Sequence, residues 1–237
     1  MLNSEEVTKF GRSQTGFVSF GRYVEIDLSF FVDNEKDEIQ KHHARGAFYE
    51  LVELERIRDS TDSNMSILDI GANIGNHTLY FAVAMHAANV VPIEPNPSAY
   101  ENLITNVRLN RLTNVDLSFL GIALGARDGR VALYVPGDNL GAGRILRDTD
   151  GDIEMTSADK LLSARHFDFI KIDVEGLELD VLSGIEQILA ASRPRLYVEV
   201  NNANSERFEQ WRERENYAVG WTYQRYKSNC NFFLYPR

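Results

Sequence analysis

The chain has 237 residues, 43% of them hydrophobic, which is enough for one large domain with its own core. A net charge of -10 and a pI near 5.0 exclude the whole-surface basic footprint of a nucleic-acid binder and show no polybasic membrane anchor. One cysteine, Cys230, allows neither an internal disulfide nor a zinc spacing, and it reads as a small hydrophobe in a strand.

Met1 to Glu6 is acidic and lacks an apolar h-region. The longest apolar run, Leu79 to Met85, is too short to cross a bilayer. A soluble, cytoplasmic protein is therefore the expectation. Phe17 to Phe20 and Tyr23 to Leu28 alternate as two short strands around a turn at Gly21-Arg22. Asp33 to Glu38 reads as a charged connector. His42 and His43 are adjacent, point apart on a helix and make a poor metal pair, so both read as surface residues. Ala47 to Ile57 predicts an amphipathic helix with Leu51, Leu54 and Ile57 on one side. The polar run Asp59 to Asn64 then marks a seam. It divides the chain into an N-terminal extension, residues 1–64, and a core domain, residues 65–237.

From Met65 strands and helices alternate. Ile67 to Ile70 is a covered strand, followed by a helix from Asn76 to Met85. Val90 to Glu94 is the second strand. Asn96 caps the next helix, with Pro97 at its first position and Tyr100, Leu103 and Val107 on its apolar side. Val115 to Leu120 reads as a third strand and Arg130 to Val135 as an extra one. Phe167 to Val174 is the fourth core strand, and one helix carries Leu179, Leu182, Ile185 and Leu189. Arg195 to Val200 is the fifth. Asn204 starts a helix with Phe208 and Trp211, and Tyr217 to Tyr223 with Asn231 to Tyr235 closes an antiparallel edge. The alternation implies an α/β, doubly wound, mostly parallel sheet with helices on both faces.

The strand at Ile67 breaks into Gly71-Ala72-Asn73-Ile74-Gly75 and then opens a helix, which gathers backbone N–H groups around a ligand. A dinucleotide site wants G-x-G-x-x-G, but Gly71, Asn73 and Asn76 hold those positions. A side chain at Asn73 bars the close approach of a pyrophosphate, which counts against a nicotinamide-dependent oxidoreductase. Asp69, just before the turn, suits a cationic group such as an α-ammonium. Glu94, at the end of the second strand, suits the two hydroxyls of a ribose. S-adenosylmethionine meets both needs.

Across the expected crevice runs Lys171-Ile172-Asp173-Val174-Glu175-Gly176-Leu177-Glu178. Lys171 and Asp173 share one side of an apolar strand, where charges need partners. As a cluster, Asp173, Glu175 and Glu178 are the catalytic candidates, facing the cofactor at the carboxyl ends of the strands. Glu199 and His77 are further candidates for a general base. On the acceptor side stand Lys171, Glu199 and the loop residues Asn139 and Arg144. That loop reads equally as a substrate-contacting lid and as a plain surface turn. A divalent cation on Asp173, Glu175 and Glu199 is a second reading that nothing in the spacing demands, so no metal is expected.

These residues resemble the FkbM-type S-adenosylmethionine-dependent methyltransferases. The resemblance rests on Asp69 to Gly75, Glu94-Pro95-Asn96-Pro97, Ala123-Leu124-Gly125 and Lys171 to Gly176 with Glu178, and more loosely on Asn102 to Asn110 and Asp159. It covers roughly Phe48 to Glu199. It implies a class I methyltransferase fold, Rossmann-like, with a seven-stranded sheet. It also implies O-methylation of a hydroxyl on a sugar, glycan or polyketide-type natural product, with a small-molecule or saccharide acceptor and no nucleic acid or membrane partner. Asp69, Gly71, Asn73 and Gly75 would then hold the methionyl part, Glu94 the ribose, and Gly121, Ile122 and Ala123 would lie by the adenine. A non-catalytic S-adenosylmethionine-binding partner protein stays open beside the enzyme. The extension with Phe48, Tyr49 and Glu50 is expected to cover the cofactor or build the acceptor pocket.

Overall fold

The computed structural model describes residues 15–134, 143–146 and 151–237. Strands β1 (Phe17–Tyr23) and β2 (Ile26–Val32) pair antiparallel. The hairpin turns at Val24-Glu25, not at Gly21-Arg22, because Gly21 is held inside β1 by the backbone of Gly46: a Cβ there would lie 1.8 Å from the Gly46 carbonyl oxygen. Helices α1 (Glu38–His43) and α2 (Leu51–Asp59) follow. Next come β3 (Ser66–Ile70), α3 (Asn76–Val83), β4 (Asn89–Ile93) and α4 (Pro97–Leu109). The middle of the chain forms β5 (Ile122–Leu124), β6 (Gly129–Tyr134), β7 (Arg144–Leu146), β8 (Ile153–Thr156) and α5 (Ala158–Leu161). The last part contains β9 (Phe169–Ile172), α6 (Glu178–Ser183), α7 (Glu186–Ser192), β10 (Arg195–Asn201), α8 (Ser205–Arg214), β11 (Tyr217–Tyr223) and β12 (Asn229–Pro236). Gly184 divides α6 from α7 where one helix is expected, because its N–H turns back to the Asp180 and Val181 carbonyls.

The main sheet runs β11-β12-β10-β9-β3-β4, parallel from β10 to β4 and antiparallel at β12 and β11. Six strands form among the described residues where seven are expected. The strand expected at Val115 contributes one parallel bridge to Val90 and then leaves the sheet. Asp116 is the cause: its carboxylate accepts from the Ser118 N–H and caps a 3₁₀ turn over Leu117–Phe119. The chain goes on into a second, four-stranded sheet of order β5-β8-β6-β7.

Strand alternation puts successive side chains of the main sheet on opposite faces. Leu68, Ile70, Ile170, Ile172 and Val198 face one way and pack with Leu182, Leu189, Phe208 and Trp211. Ile67, Val90, Phe169 and Phe233 face the other and pack with Leu54, Ile57, Leu79 and Phe81. No helix among the described residues is long and apolar enough to cross a membrane.

The N-terminal segment is stitched to the core by asparagines on α4. The Asn106 Oδ1 accepts from the Phe31 N–H at 2.7 Å, and the Asn110 Oδ1 accepts from the Ser29 N–H at 2.9 Å. Asn110 Nδ2 donates back to the Ser29 carbonyl at 2.7 Å, and Asn102 Nδ2 donates to Asp33 at 3.0 Å. Spacing by four keeps the three amides on one helix face, where Asn106 and Asn110 act as a neighbouring strand would for the free edge of β2 and Asn102 holds the Asp33 carboxylate just beyond it. His43 departs from expectation. It is fully buried against the Phe30 ring, its Nε2 lies 3.1 Å from the Asn76 Oδ1, and burial pushes it down to about 4.

Candidate active site

The glycine turn after β3 has the backbone its sequence calls for. Gly71 (φ 77°), Asn73 (φ 51°) and Gly75 (φ 89°) are all left-handed, and Gly75 is the N-cap of α3. A Cβ at Gly71 would stand 1.8 Å from the Asp173 carbonyl oxygen, so the turn presses directly on the end of β9. Asn73 donates its backbone N–H to Glu94 Oε2 at 2.8 Å, and Asn96 donates its own to Glu94 Oε1 at 2.8 Å. These two bonds aim a buried carboxylate from the end of β4 at a cavity of about 560 Å³. Burial pushes Glu94 up to about 7 against the pull of those N–H groups.

Asp69 and Lys171 face each other directly in the β3–β9 register. The Lys171 ammonium, 2% exposed, lies 3.3 Å from Asp69 Oδ1 and 3.6 Å from Asp173 Oδ2, and it donates to the Gly71 carbonyl at 2.7 Å. Burial alone would lower its pKa, but Asp69 and Asp173 hold it above the usual range. Asp69, 0% exposed, also accepts from Thr78 Oγ1 at 2.6 Å and is not in the cavity wall. The cation beside Asp69 in the structure is the chain's own Lys171, on the sheet face that α3 covers. Lys171 lines the wall near the turn, so it is a strut between turn and acids as much as an acceptor contact.

Asp173, Glu175 and Glu199 share the cavity wall, with carboxylate oxygens within 4.8 Å of one another. Glu199 is pushed up to about 9, first by burial and then by Asp173, Glu175 and Glu50. Glu178 is elsewhere. It is fully buried, and its Oε1 accepts from the Asn201 N–H and from Asn204 Nδ2, both at 2.9 Å. It ties the start of α6 to the end of β10, which takes it away from the catalytic group expected from sequence. Ile122 and Ala123 lie just past Gly121, whose N–H donates to the Glu94 carbonyl at 2.9 Å. Ala123 packs inside the small sheet with Val131 and Met155, so its side chain faces a core. Of the loop, Gly143 and Ile145 line the cavity and the Arg144 backbone pairs with Tyr134, while Asn139 lies outside the described residues.

The model of the FkbM methyltransferase domain matches residues 69–227, well over half of the chain. The chain belongs to the FkbM methyltransferase family. A hexuronic acid methyltransferase, AglP of Haloferax volcanii, is 27% identical over 170 residues, covering 64% of this chain and 68% of that protein. Methyltransferase 1 of Beauveria bassiana is 27% identical over 51% of this chain and 58% of its own length. Among solved structures, an FkbM methyltransferase of Methylobacillus flagellatus superposes with a TM-score of 0.53 at 20% identity, over 73% of this chain and 44% of that one. M. jannaschii TYW2, solved in complex with AdoMet, superposes with a TM-score of 0.52 at 16% identity, over 95% of this chain and 86% of that one. Both share the α/β methyltransferase-like fold.

In this FkbM-family chain the cavity also takes residues that carry no motif. Tyr49 and Glu50 come from the start of α2, and Tyr226, Ser228 and Asn229 from the turn into β12. The Tyr49 and Tyr226 hydroxyls meet at 2.7 Å across the two ends of the chain. Arg225 grips the buried Glu53 carboxylate at 2.6 and 2.8 Å, and its Nε lies 3.5 Å from Glu50. A lone Arg between tyrosines in a C-terminal turn gives no spacing signal, so sequence reasoning missed it.

Proposed function

We propose that this chain is an S-adenosylmethionine-dependent O-methyltransferase acting on a hydroxyl of a sugar, glycan or natural-product acceptor. The observation that carries the reading is Glu94. Two backbone N–H groups fix its carboxylate at the cavity wall, and each oxygen keeps a lone pair for a ribose hydroxyl. The left-handed turn at Gly71, Asn73 and Gly75 supports it by leaving room for the methionyl part beside the N-terminus of α3. Ile122 borders the adenine side. Asp69 acts at one remove, through Lys171. When bound, S-adenosylmethionine supplies an electrophilic methyl group on a sulfonium sulfur.

The chain's own residues hold the acceptor. Asp173, Glu175 and Glu199 accept hydrogen bonds from a polyol, and Lys171 pins the turn and Asp173 in one geometry. A wall of carboxylates suits neutral hydroxyl groups and a cationic cofactor. The likeness to a hexuronic acid methyltransferase supports a sugar acceptor, and the net charge of -10 supports a small acceptor over nucleic acid. The free thiol of Cys230 supports a reducing, cytoplasmic setting. The test is calorimetry with S-adenosylmethionine, followed by release of S-adenosylhomocysteine over a panel of hexose, hexuronic acid and polyol acceptors. Absence of binding by the wild type ends the reading. Binding of NADH instead would return the chain to oxidoreductase chemistry.

A further inference from the structure

Several carboxylates line the cavity, and some already have partners. Glu94 is held by two N–H groups, Asp173 is engaged by Lys171, and Glu38 pairs with Lys41 at 2.6 Å. Glu50 differs. It occupies the N-cap position of α2 but makes no side-chain capping bond, and its backbone is left-handed at φ 58° and ψ 32°. A carboxylate that forgoes its local cap at such a backbone points to a use elsewhere. Its side chain, 13% exposed, turns into the cavity, where Oε2 lies 3.5 Å from the Nε2 of His77. His77 is 6% exposed, and among the described residues its Nε2 has no hydrogen-bond partner. A buried nitrogen without a partner asks for a ligand. A hydroxyl oxygen about 2.8 Å from both atoms spans a 3.5 Å gap, donating to one and accepting from the other.

Building on the methyltransferase reading, we infer that Glu50 and His77 together seat the acceptor hydroxyl and that Glu50 is its general base. As the acceptor oxygen forms its new bond to the methyl carbon, its proton moves to the Glu50 carboxylate. The electron pair of the breaking carbon–sulfur bond returns to sulfur, leaving S-adenosylhomocysteine. Glu50 then releases the proton to water once the product has left. Its environment fits the task. Burial, Asp173 and Glu53 push it up to about 8 against Arg225 and Lys171, close to the working range of a base. Burial keeps His77 neutral, with Lys171 and Arg225 acting the same way. Glu199, Tyr49 and Tyr197 are further titratable groups around Glu50.

Glu50→Gln is expected to lower kcat by about 10²- to 10⁴-fold while the S-adenosylmethionine Kd moves less than about threefold, which also shows that the variant is folded. The wild-type rate should rise through the titration of Glu50, and the variant should lose that limb. His77→Phe should raise the acceptor KM about tenfold. An active wild type beside a Glu50→Gln rate within about threefold overturns the inference and leaves the methyltransferase reading standing. If the wild type binds S-adenosylmethionine but methylates nothing in the panel, ¹⁵N-histidine spectra with methyl α-glucoside decide. A His77 Nε2 shift that Glu50→Ala abolishes supports the seat, and no shift overturns it. If the wild type does not bind S-adenosylmethionine, both readings fall together.

Discussion

The two ends of the cavity are built differently. At the glycine-turn end the polar groups come from neighbouring strand ends and answer one another: Glu94 to the Asn73 and Asn96 amides, Asp69 to Thr78 and Lys171. At the opposite end Glu50, Glu199 and His77 come from distant parts of the chain, and burial shifts all three from their usual pKa. At the first end each carboxylate is already bonded by the chain before any ligand arrives. The second holds its charge in reserve, which is what a site for a reacting hydroxyl requires.

The sharpest way to break that contrast is to unbalance the satisfied end. Lys171→Met leaves Asp69 buried without its cation and should cost about 3–5 kcal/mol of stability in urea melts. Glu94→Ala removes charge-assisted hydrogen bonds to the ribose worth about 1.5–3 kcal/mol. Calorimetry should then show S-adenosylmethionine affinity falling about 10- to 150-fold, with a stability loss of about 1–3 kcal/mol because the Asn73 and Asn96 N–H groups lose their acceptor. Glu178→Ala should destabilise by about 1–3 kcal/mol, since it strands the Asn201 N–H and the Asn204 amide. Its kcat should stay within about threefold, because Glu178 is not in the cavity wall.

Stability against pH probes the charge held in reserve. Glu94, Glu50 and Glu199 rise from 4.5 to about 7, 8 and 9, so the folded chain keeps protons that the unfolded chain has lost. The stability they give is full below about 4.5 and disappears as pH climbs through those values. His43, lowered from 6.5 to about 4, works in the opposite sense but only below about 6.5. Thermal melts should therefore fall progressively between about pH 4.5 and 9, with His43 offsetting part of the loss below about 6.5, and less so with S-adenosylmethionine bound, whose positive charge favours the ionised acids. The smallest effect is expected from excess EDTA, which should leave turnover within about twofold. A tenfold loss would instead put a divalent cation on Asp173, Glu175 and Glu199.

The sequence by itself determined the parts whose physics is local. Alternation of strands and helices, the Asn96-Pro97 helix start, and the turn at Gly71, Asn73 and Gly75 follow from backbone preferences and hydrophobic period within a dozen residues. Only the tertiary structure could decide which partner each charge meets. The β3–β9 register sets Lys171 opposite Asp69. Glu178 looked catalytic until the end of β10 claimed its carboxylate. His43 looked exposed until α1 folded over Phe30, and Val115 looked like the start of a strand until Asp116 capped a turn. Arg225 gains its place beside Glu50 only when both ends of the chain close on the cavity, since a through-space contact leaves no period in the sequence.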